Sequence, residues 1–258
     1  MIEAELIPTT NDTLTLQTSR SYTPVNIGEK LRAYYEGRNE DDSDRSWEYC
    51  YRYFHHANPE AIKVDRHQAA LQLGLYLASW GMYRGSGFLL KYAYTAHLGV
   101  VDCLLESKFS TLWSQEFGAR DKDADLAPLL LEACEDVRTA YRPFAKAQGK
   151  NVTDMLVTKV ALGAMGCFPA LDKYFNEGCK HSPLGIPKLN AAFIEKILRF
   201  CRDNLQAFQA EHANKYQMGC PLMKLVDAYF HQIGLELEPS KPKKTKKKQN
   251  ERATTGKK

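Results

Sequence analysis

The fold is decided by residues 65–105, DRHQAALQLGLYLASWGMYRGSGFLLKYAYTAHLGVVDCLL, in which charged side chains are scarce. Residues 67–83 contain no Asp, Glu, Lys or Arg, and a second apolar run begins at residue 88. Apolar side chains at helical spacing cover two faces of the first run: Leu71, Leu75, Ala78 and Met82 on one, and Leu73, Leu77 and Trp80 on the other. A helix that is apolar on most sides is a core helix. We therefore predict a buried helical hairpin: a core helix, a tight glycine turn at 84–87, and a second core helix.

Helical patterns also fill the flanking sequence. They predict a helix from Thr23 to about residue 37, an aromatic helix at about 47–56, and helices at about 109–117, 125–142, 153–165, 169–178, 188–213 and 220–234. A chain of 258 residues with 44% hydrophobic residues can build one sizeable core. The fold class is thus all-α, with about 8–10 helices in a single compact domain, residues 23–238, around the central hairpin. Residues 1–22 predict a short extended N-terminal arm.

The charge of the chain is divided between the domain and its C-terminus. Of 35 Lys and Arg and 31 Asp and Glu residues, nine bases and one acid lie in residues 239–258, leaving 26 bases against 30 acids before them. Because the last segment has no large apolar residue, we predict a disordered Lys-rich tail there. Attraction to nucleic acid through net charge would therefore come from the tail, and the domain would depend on local basic patches.

Other classes of protein are disfavoured by composition. Seven cysteines without paired spacing are typical of reduced thiols in a cytoplasmic protein. The N-terminal sequence predicts no signal peptide, and the longest uncharged run is short for a bilayer, so we expect no membrane partner. Cys179 and His181 do not complete a metal-ligand pattern, and we expect neither a metal nor another cofactor.

The first candidate site is the turn Arg84, Gly85, Ser86 and Gly87, with Lys91 one helical turn later. Glycines before a helix expose backbone N–H groups that bind anions, and Arg84 and Lys91 add positive charge. The spacing differs from that of a Walker loop or a dinucleotide fingerprint. The alternative is a turn that contains glycine because two core helices reverse sharply there.

The second candidate is KVALGAMGCFPALD at 159–172, followed by Lys173. Two helices joined by a Gly-x-x-Gly turn would be similar to the helix-hairpin-helix element of DNA repair proteins, in which turn amides and nearby bases hold a phosphate. This resemblance implies phosphate binding by Lys159, Gly163, Gly166 and Lys173, and a catalytic carboxylate at Asp172. The chain departs from the pattern of the glycosylases in this group, because their Leu-Pro-Gly opening is missing and their Asp follows the hairpin at a longer distance. The alternative is a glycine-rich connection with Asp172 capping the next helix.

The third candidate is the aromatic helix at 47–56. Aromatic side chains interleaved with bases can stack nucleobases and contact phosphates. However, Trp47 and Tyr51 recur at the spacing of a core face, which would leave Tyr49, Arg52 and His56 for a surface role.

Three classes of function follow from these patterns. The leading hypothesis is a nucleic-acid-associated protein that contacts the phosphates of DNA or RNA through its glycine turns and tail. The principal alternative is an enzyme that processes DNA bases, and whether the chain is an enzyme stays open at this point. A second alternative is a non-enzymatic subunit with a protein partner, which predicts an exposed apolar patch.

Overall fold

A computed structural model of the protein describes residues 26–36, 38–39, 41–43, 45–56, 59–113, 126–215 and 219–238. Regular structure in these residues is entirely helical, which confirms the predicted all-α class. The predicted arm at 1–22 and the predicted tail at 239–258 lie outside the described residues. The described part contains eleven α-helices: α1 Ile27–Glu36, α2 Arg45–His56, α3 Pro59–Val64, α4 Arg66–Ser79, α5 Leu98–Leu104, α6 Leu126–Ala147, α7 Asp154–Val160, α8 Lys173–Lys180, α9 Ala191–Asp203, α10 Leu205–Lys215 and α11 Leu222–Glu236.

The core helix predicted from the central segment is α4, but only one of its sides is buried. Asp65 caps its N-terminus, because its carboxylate accepts a hydrogen bond from the Gln68 amide at 3.2 Å. The side that includes Leu73 is fully buried, whereas Leu71 and Leu75 are 44% and 60% exposed. The expectation that α4 is buried on most sides is therefore wrong. A second apolar side of the helix, with Leu71 and Leu75, faces outward.

The second half of the predicted hairpin is not one helix. Two 3₁₀ turns, Phe88–Lys91 and Tyr94–His97, precede the short helix α5. Between them the backbone is extended at Tyr92, whose hydroxyl donates a hydrogen bond to the Phe144 carbonyl of α6 at 3.2 Å. The apolar pattern predicted much of the burial of this segment, but tertiary contacts of its aromatic residues determine its backbone.

The segment predicted as a helix at 153–165 is helical over nearly its whole length. Thr153 caps α7, which continues directly into a π-helical turn, Ala161–Met165. Gly163 lies inside this turn, packed so closely against a buried tyrosine of α4 that a Cβ would overlap the ring. Gly166 then ends the helix in the left-handed conformation, with φ 63°. The predicted Gly-x-x-Gly turn between two helices is therefore wrong, since the connection is residues 166–172, below called the α7–α8 loop.

Helices α8 and α11 cross at two glycines. A Cβ on Gly178 would overlap the carbonyl oxygen of Phe230, and a Cβ on Gly234 would overlap that of Tyr174. Glycine allows two backbones to approach this closely because it has no side chain. The crossing fixes the N-terminal part of α8 beside the second half of α11.

The helix predicted at 188–213 is divided into α9 and α10. Asn204 interrupts it, and its side-chain amide donates a hydrogen bond to the Phe200 carbonyl at 2.8 Å. A polar side chain that bonds the preceding turn competes with continuation of the helix. Among the described helices, none has both the length and the apolar character required to cross a bilayer.

Candidate functional site around Asp172 and Lys159

The α7–α8 loop is held in place by buried side chains from two helices. Asp227 of α11 accepts a hydrogen bond from the Ala170 amide at 3.0 Å, and the Thr158 hydroxyl of α7 accepts one from the Leu171 amide at 3.0 Å. Satisfying two buried backbone donors in this way leaves the loop little freedom. It therefore presents Asp172 in a defined position.

Asp172 is the N-cap of α8. Its Oδ1 accepts a hydrogen bond from the Phe175 amide at 3.0 Å. Its Oδ2 has no hydrogen-bond partner within the described part of the chain. The side chain is half-buried. The result is an oriented carboxylate with one oxygen available to a ligand.

Lys159 of α7 is buried, with 5% of its surface exposed. Its Nζ donates a hydrogen bond to the Trp80 carbonyl at 2.7 Å and lies 5.6 Å from the centre of the indole ring. Burial lowers the pKa of Lys159 because a charged ammonium loses its hydration. The charges of Asp172 and Asp227 partly oppose this effect, whereas nearby cations, Arg84 among them, add to it.

A second buried lysine, Lys224 of α11, lies beside the same tryptophan. Its Nζ is 2.8 Å from Asp227 Oδ2 and donates a hydrogen bond to the Tyr34 hydroxyl at 3.0 Å. The rings of Trp80, Tyr34 and Trp47 have their centres 4.7, 5.2 and 5.3 Å from the ammonium. Burial alone would lower the pKa of Lys224, but Asp227 and Tyr34 more than compensate and raise it.

His231 of α11 borders this cluster. Its ring packs edge-on against Tyr34 and Tyr174, with centroid distances of 5.5 and 5.0 Å. Burial lowers the pKa of His231, and the charges of Asp172 and Asp227 act in the opposite direction. Burial therefore favours the neutral imidazole.

Three of the residues singled out in the sequence are linked here through the electrostatics of Lys159: Arg84, Lys159 and Asp172. The charges of Arg84 and Asp172 both act on Lys159, one lowering and one raising its pKa. Arg84 is exposed, its guanidinium lies over Gly81, and within the described residues it forms no ion pair. It is the member of the predicted 84–87 turn whose charge acts on Lys159.

Lys173 lies at the edge of the site and is already paired. Its Nζ is 2.6 Å from Glu238 Oε1, and the neighbouring Tyr174 hydroxyl donates a hydrogen bond to Glu238 Oε2 at 2.7 Å. The hydrogen bond to Glu238 raises the pKa of Tyr174. Glu238 thus ties the first turn of α8 to the residues that follow α11.

The remaining predicted residues do not contribute side chains to this cluster. Gly163 and Gly166 are buried, and a Cβ on Gly166 would meet Pro221 and Tyr51 at 2.6 Å, so packing explains both glycines. The other four lie in or just after the surface turn between α4 and the first 3₁₀ turn: Gly85, Ser86, Gly87 and Lys91.

The aromatic helix, α2, is mainly a core element. Trp47 and Tyr51 are buried, as the alternative interpretation predicts, and Arg52 forms an ion pair with a glutamate one turn earlier. Tyr49 is 56% exposed. The side chain of His56 lies outside the described part of the structure.

The sequence interpretation missed the residues on α11 and at the end of α4. Residues 221–230, PLMKLVDAYF, place a lysine and an aspartate three positions apart in an otherwise apolar run. Lys224 and Asp227 therefore lie on one side of a buried helix, where charged groups persist when they are paired. This spacing is the signal that could have found them. Trp80 carries no comparable signal, because its contact with Lys159 joins residues far apart in the sequence.

No family model matches this chain, and neither a curated protein nor a solved structure is significantly similar to it. In the described residues, no group of three or more His, Cys, Asp or Glu side chains could hold a metal ion. The fold and site define a class by their own features: an all-helical protein in which two buried lysines adjoin one tryptophan and two aspartates act on those lysines electrostatically.

Proposed function

We propose that the chain is a DNA-associated enzyme that hydrolyses the bond between a base and its sugar at Asp172 and Lys159. The observation that carries this proposal is the combination of an oriented carboxylate, with one oxygen unengaged in the described chain, and a buried amine of lowered pKa. Ionisable groups perturbed by burial and by specific charges are enriched at catalytic sites. The half-buried ring of Trp80 adjoins the amine.

The two groups have complementary roles in such a hydrolysis. Breaking the bond leaves positive charge on the sugar, which the Asp172 carboxylate stabilises. Water bonds to the sugar carbon and gives a proton to Asp172, while the bonding electron pair leaves with the base. The Lys159 ammonium gives a proton to the departing base, and its lowered pKa makes it a stronger acid than an exposed lysine.

Access to this site requires the base to leave the DNA stack, as in other enzymes that act on a base. Trp80 offers an aromatic surface for the extruded base, since stacking on an aromatic side chain is favourable for every nucleobase. Arg84, exposed and without an ion pair in the described chain, is available for the adjoining phosphate.

Association with DNA is supported mainly by the tail. Nine Lys and Arg residues and one Glu in residues 239–258 give this segment an excess of eight positive charges, whereas residues 1–238 have an excess of four negative charges. Lysine-rich segments bind polyanions by releasing counterions. The tail therefore supplies non-specific attraction, and the site supplies the chemistry.

The test is base release by Asp172→Asn under single-turnover conditions, from duplexes that each contain one deaminated, oxidised or alkylated base. Asparagine caps helices as well as aspartate does, so α8 keeps its cap while the charge is lost. We expect wild type to release one class of base and the variant to be slower by about 100- to 1,000-fold. The matched control is Asp65→Asn, the same change at the N-cap of α4, which should leave the rate unchanged.

Release from none of the duplexes by wild type, or release at the wild-type rate by Asp172→Asn, would overturn the proposal.

Deleting residues 239–258 separates DNA binding by the tail from catalysis at Asp172 and Lys159. The deletion should raise the protein concentration needed for half-maximal rate without lowering the rate at saturation. The reason is that the tail promotes association with DNA and takes no part in catalysis.

One observation favours a second candidate, a protein-interaction subunit. The outward side of α4 exposes Leu71 and Leu75, one helical turn apart, and an exposed apolar stripe is a common feature of protein interfaces. For a partner that is a second copy of the chain, sedimentation velocity should show association that depends on concentration. Leu71→Glu with Leu75→Glu should abolish it, and a monomer at all concentrations would exclude self-association through α4.

A further inference from the structure

A cleft of about 460 Å³ lies between the segment that follows α8 and the second half of α9. Leu184 and Phe200 form an apolar floor and are 5% and 8% exposed. Its other lining residues are mainly polar or charged: Pro183, Lys196, Arg199, Asp203 and Asn204. Asp172 caps the opposite end of α8, and a helix of 8 residues is about 12 Å long. The cleft is therefore separate from the Asp172 site but connected to it by one helix.

The segment that lines the cleft differs in charge from the rest of the domain. Residues 180–204, which include all the residues that line the cleft, contain five Lys and Arg residues and two acids, whereas residues 1–238 as a whole contain 26 bases and 30 acids. Lys196 and Arg199 are exposed, one helical turn apart on α9, and neither forms an ion pair within the described part of the chain. Two cations without an ion pair in the described chain are available to an anionic ligand.

The other polar residues of the cleft restrict where an anion can lie. Asn204 uses its side-chain amide to hydrogen-bond the Phe200 carbonyl, so it caps the helix. Asp203 repels an anion from its own edge of the cleft. An anion is therefore favoured on the side of Lys196 and Arg199, where the apolar floor lies beside it.

We infer that this cleft binds a backbone phosphate of DNA near the base that is processed at Asp172. The guanidinium of Arg199 can hold two phosphate oxygens at once, and Lys196 contributes a point charge. The deoxyribose next to the phosphate would pack against Leu184 and Phe200. This inference rests on the proposed function, and it adds a second point of contact that orients the strand.

The test uses the full chain and a fluorescein-labelled DNA duplex, with anisotropy measured over a series of salt concentrations. The variant Lys196→Ala with Arg199→Ala should raise Kd by about tenfold or more and flatten the dependence of log Kd on log salt by about one to two units. The matched control is Arg32→Ala with Arg66→Ala. It removes two exposed arginines that are paired with Glu211 and Asp102 at 2.7 and 2.6 Å. Its net charge change is the same, and its Kd should change little.

The outcomes separate this inference from the proposed function. Equal weakening by both pairs of substitutions means that bulk charge is responsible and overturns the cleft as a site. If the Lys196 and Arg199 variant binds DNA as tightly as wild type, and base release still requires Asp172, the cleft is excluded as a phosphate site and the proposed reaction stands. Loss of binding by that variant, in a protein that releases no base, supports the phosphate site and overturns the proposed reaction.

Inorganic phosphate tests the source of the anion. Phosphate should compete with DNA for binding to the wild-type protein. It should compete less for binding to the Lys196 and Arg199 variant, because that variant lacks the two cations of the cleft. Phosphate binding that depends on these two residues, together with DNA binding that does not, assigns the cleft to a free anion and overturns the DNA assignment. Circular dichroism should show equal thermal unfolding of both variants, since all four side chains are exposed.

Discussion

Lys159 and Lys224 are two buried lysines that adjoin the same tryptophan, but their pKa values shift in opposite directions. Lys224 is 3% exposed and has an anionic partner, Asp227, at 2.8 Å. Lys159 is 5% exposed, and its Nζ has a neutral partner, the Trp80 carbonyl, at 2.7 Å. The pKa of Lys224 is raised and that of Lys159 is lowered. Burial is nearly equal, so the nature of the partner decides the direction of the shift.

The difference separates a structural ion pair from a reactive amine. Asp227 neutralises Lys224 and also binds the Ala170 amide, so the pair belongs to the framework of the α7–α8 loop. Lys159 has no carboxylate within hydrogen-bond distance in the described chain and feels Asp172 and Asp227 only through space. A lysine whose pKa is lowered gives up its proton more readily than an exposed lysine, which suits proton transfer.

The largest expected effect comes from removing one amine at a time. Lys224→Met leaves the Asp227 carboxylate buried without its cation, which should destabilise the fold by about 3–5 kcal/mol. Lys159→Met removes one hydrogen bond and leaves a single carbonyl unpaired, so we expect a loss of only about 1–3 kcal/mol. Urea unfolding of both variants at pH 7 measures the difference.

An exposed pair provides the control for these substitutions. Asp102→Ala breaks the ion pair with Arg66, whose side chains are 49% and 46% exposed, and should change stability by less than about 1 kcal/mol. Equal losses for Lys159→Met and Lys224→Met would contradict the distinction between the two lysines.

His97 is a third buried base, and unlike Lys224 it is kept neutral. His97 is fully buried, and its Nδ1 and Nε2 are each 2.6 Å from a tyrosine hydroxyl, those of Tyr141 and Tyr83. Burial lowers the pKa of His97 to about 4, from an ordinary value of 6.5. Two hydroxyl partners satisfy a neutral ring, which needs one donor and one acceptor, but they do not neutralise an imidazolium.

This network predicts a loss of stability in acid. Between pH 6.5 and about 4 the unfolded chain binds a proton at His97 that the folded protein does not, so stability falls as pH decreases through that window. The shift corresponds to about 3 kcal/mol. Urea unfolding at pH 7 and at pH 4 should show a smaller acid loss in His97→Asn than in wild type. His67→Asn, at an exposed position, should retain the full loss, and identical pH profiles for all three proteins would refute the assignment.

Much of the helical fold could be predicted from the sequence because it is encoded locally. The spacing of apolar residues predicted most helices, and Thr153 and Asp172 both cap helices as polar residues at those positions should. The exposed side of α4 was not predictable, because Leu71 and Leu73 have the same local character and differ only in what packs against them.

The site depends on contacts that the sequence pattern does not contain. The alternative interpretation of Asp172 as a cap is correct, but the positioning of its loop requires Asp227, which contacts Ala170 across 57 residues of sequence. Lys159 was interpreted as a phosphate-binding residue, since nothing in its neighbours indicates that it reaches Trp80, 79 positions earlier. Glycines were equally ambiguous: Gly163 is required by packing against Tyr76 and not by a turn.

The titration of the two buried lysines involves the smallest free-energy change of these predictions, and it tests the difference between Lys159 and Lys224 most directly. In protein labelled with ¹³C at lysine Cε, the Lys159 resonance should titrate below the ordinary pKa of 10.5 and that of Lys224 above it. Below 10.5 the unfolded chain holds a proton that folded Lys159 releases, so this residue makes stability rise with pH. Above 10.5 Lys224 retains a proton that the unfolded chain loses, so its contribution falls as pH rises.

Asp172 links this titration to the proposed chemistry. Its charge raises the pKa of Lys159, so Asp172→Asn should move the Lys159 titration to still lower pH, whereas Asp65→Asn should not move it. Lys159→Met assigns the resonance by its disappearance. A Lys159 amine that titrates at or above 10.5 could not serve as the proton donor to a departing base near neutral pH more readily than any exposed lysine. In that case Asp172 would have to act without it, and the two buried lysines would have the same structural role.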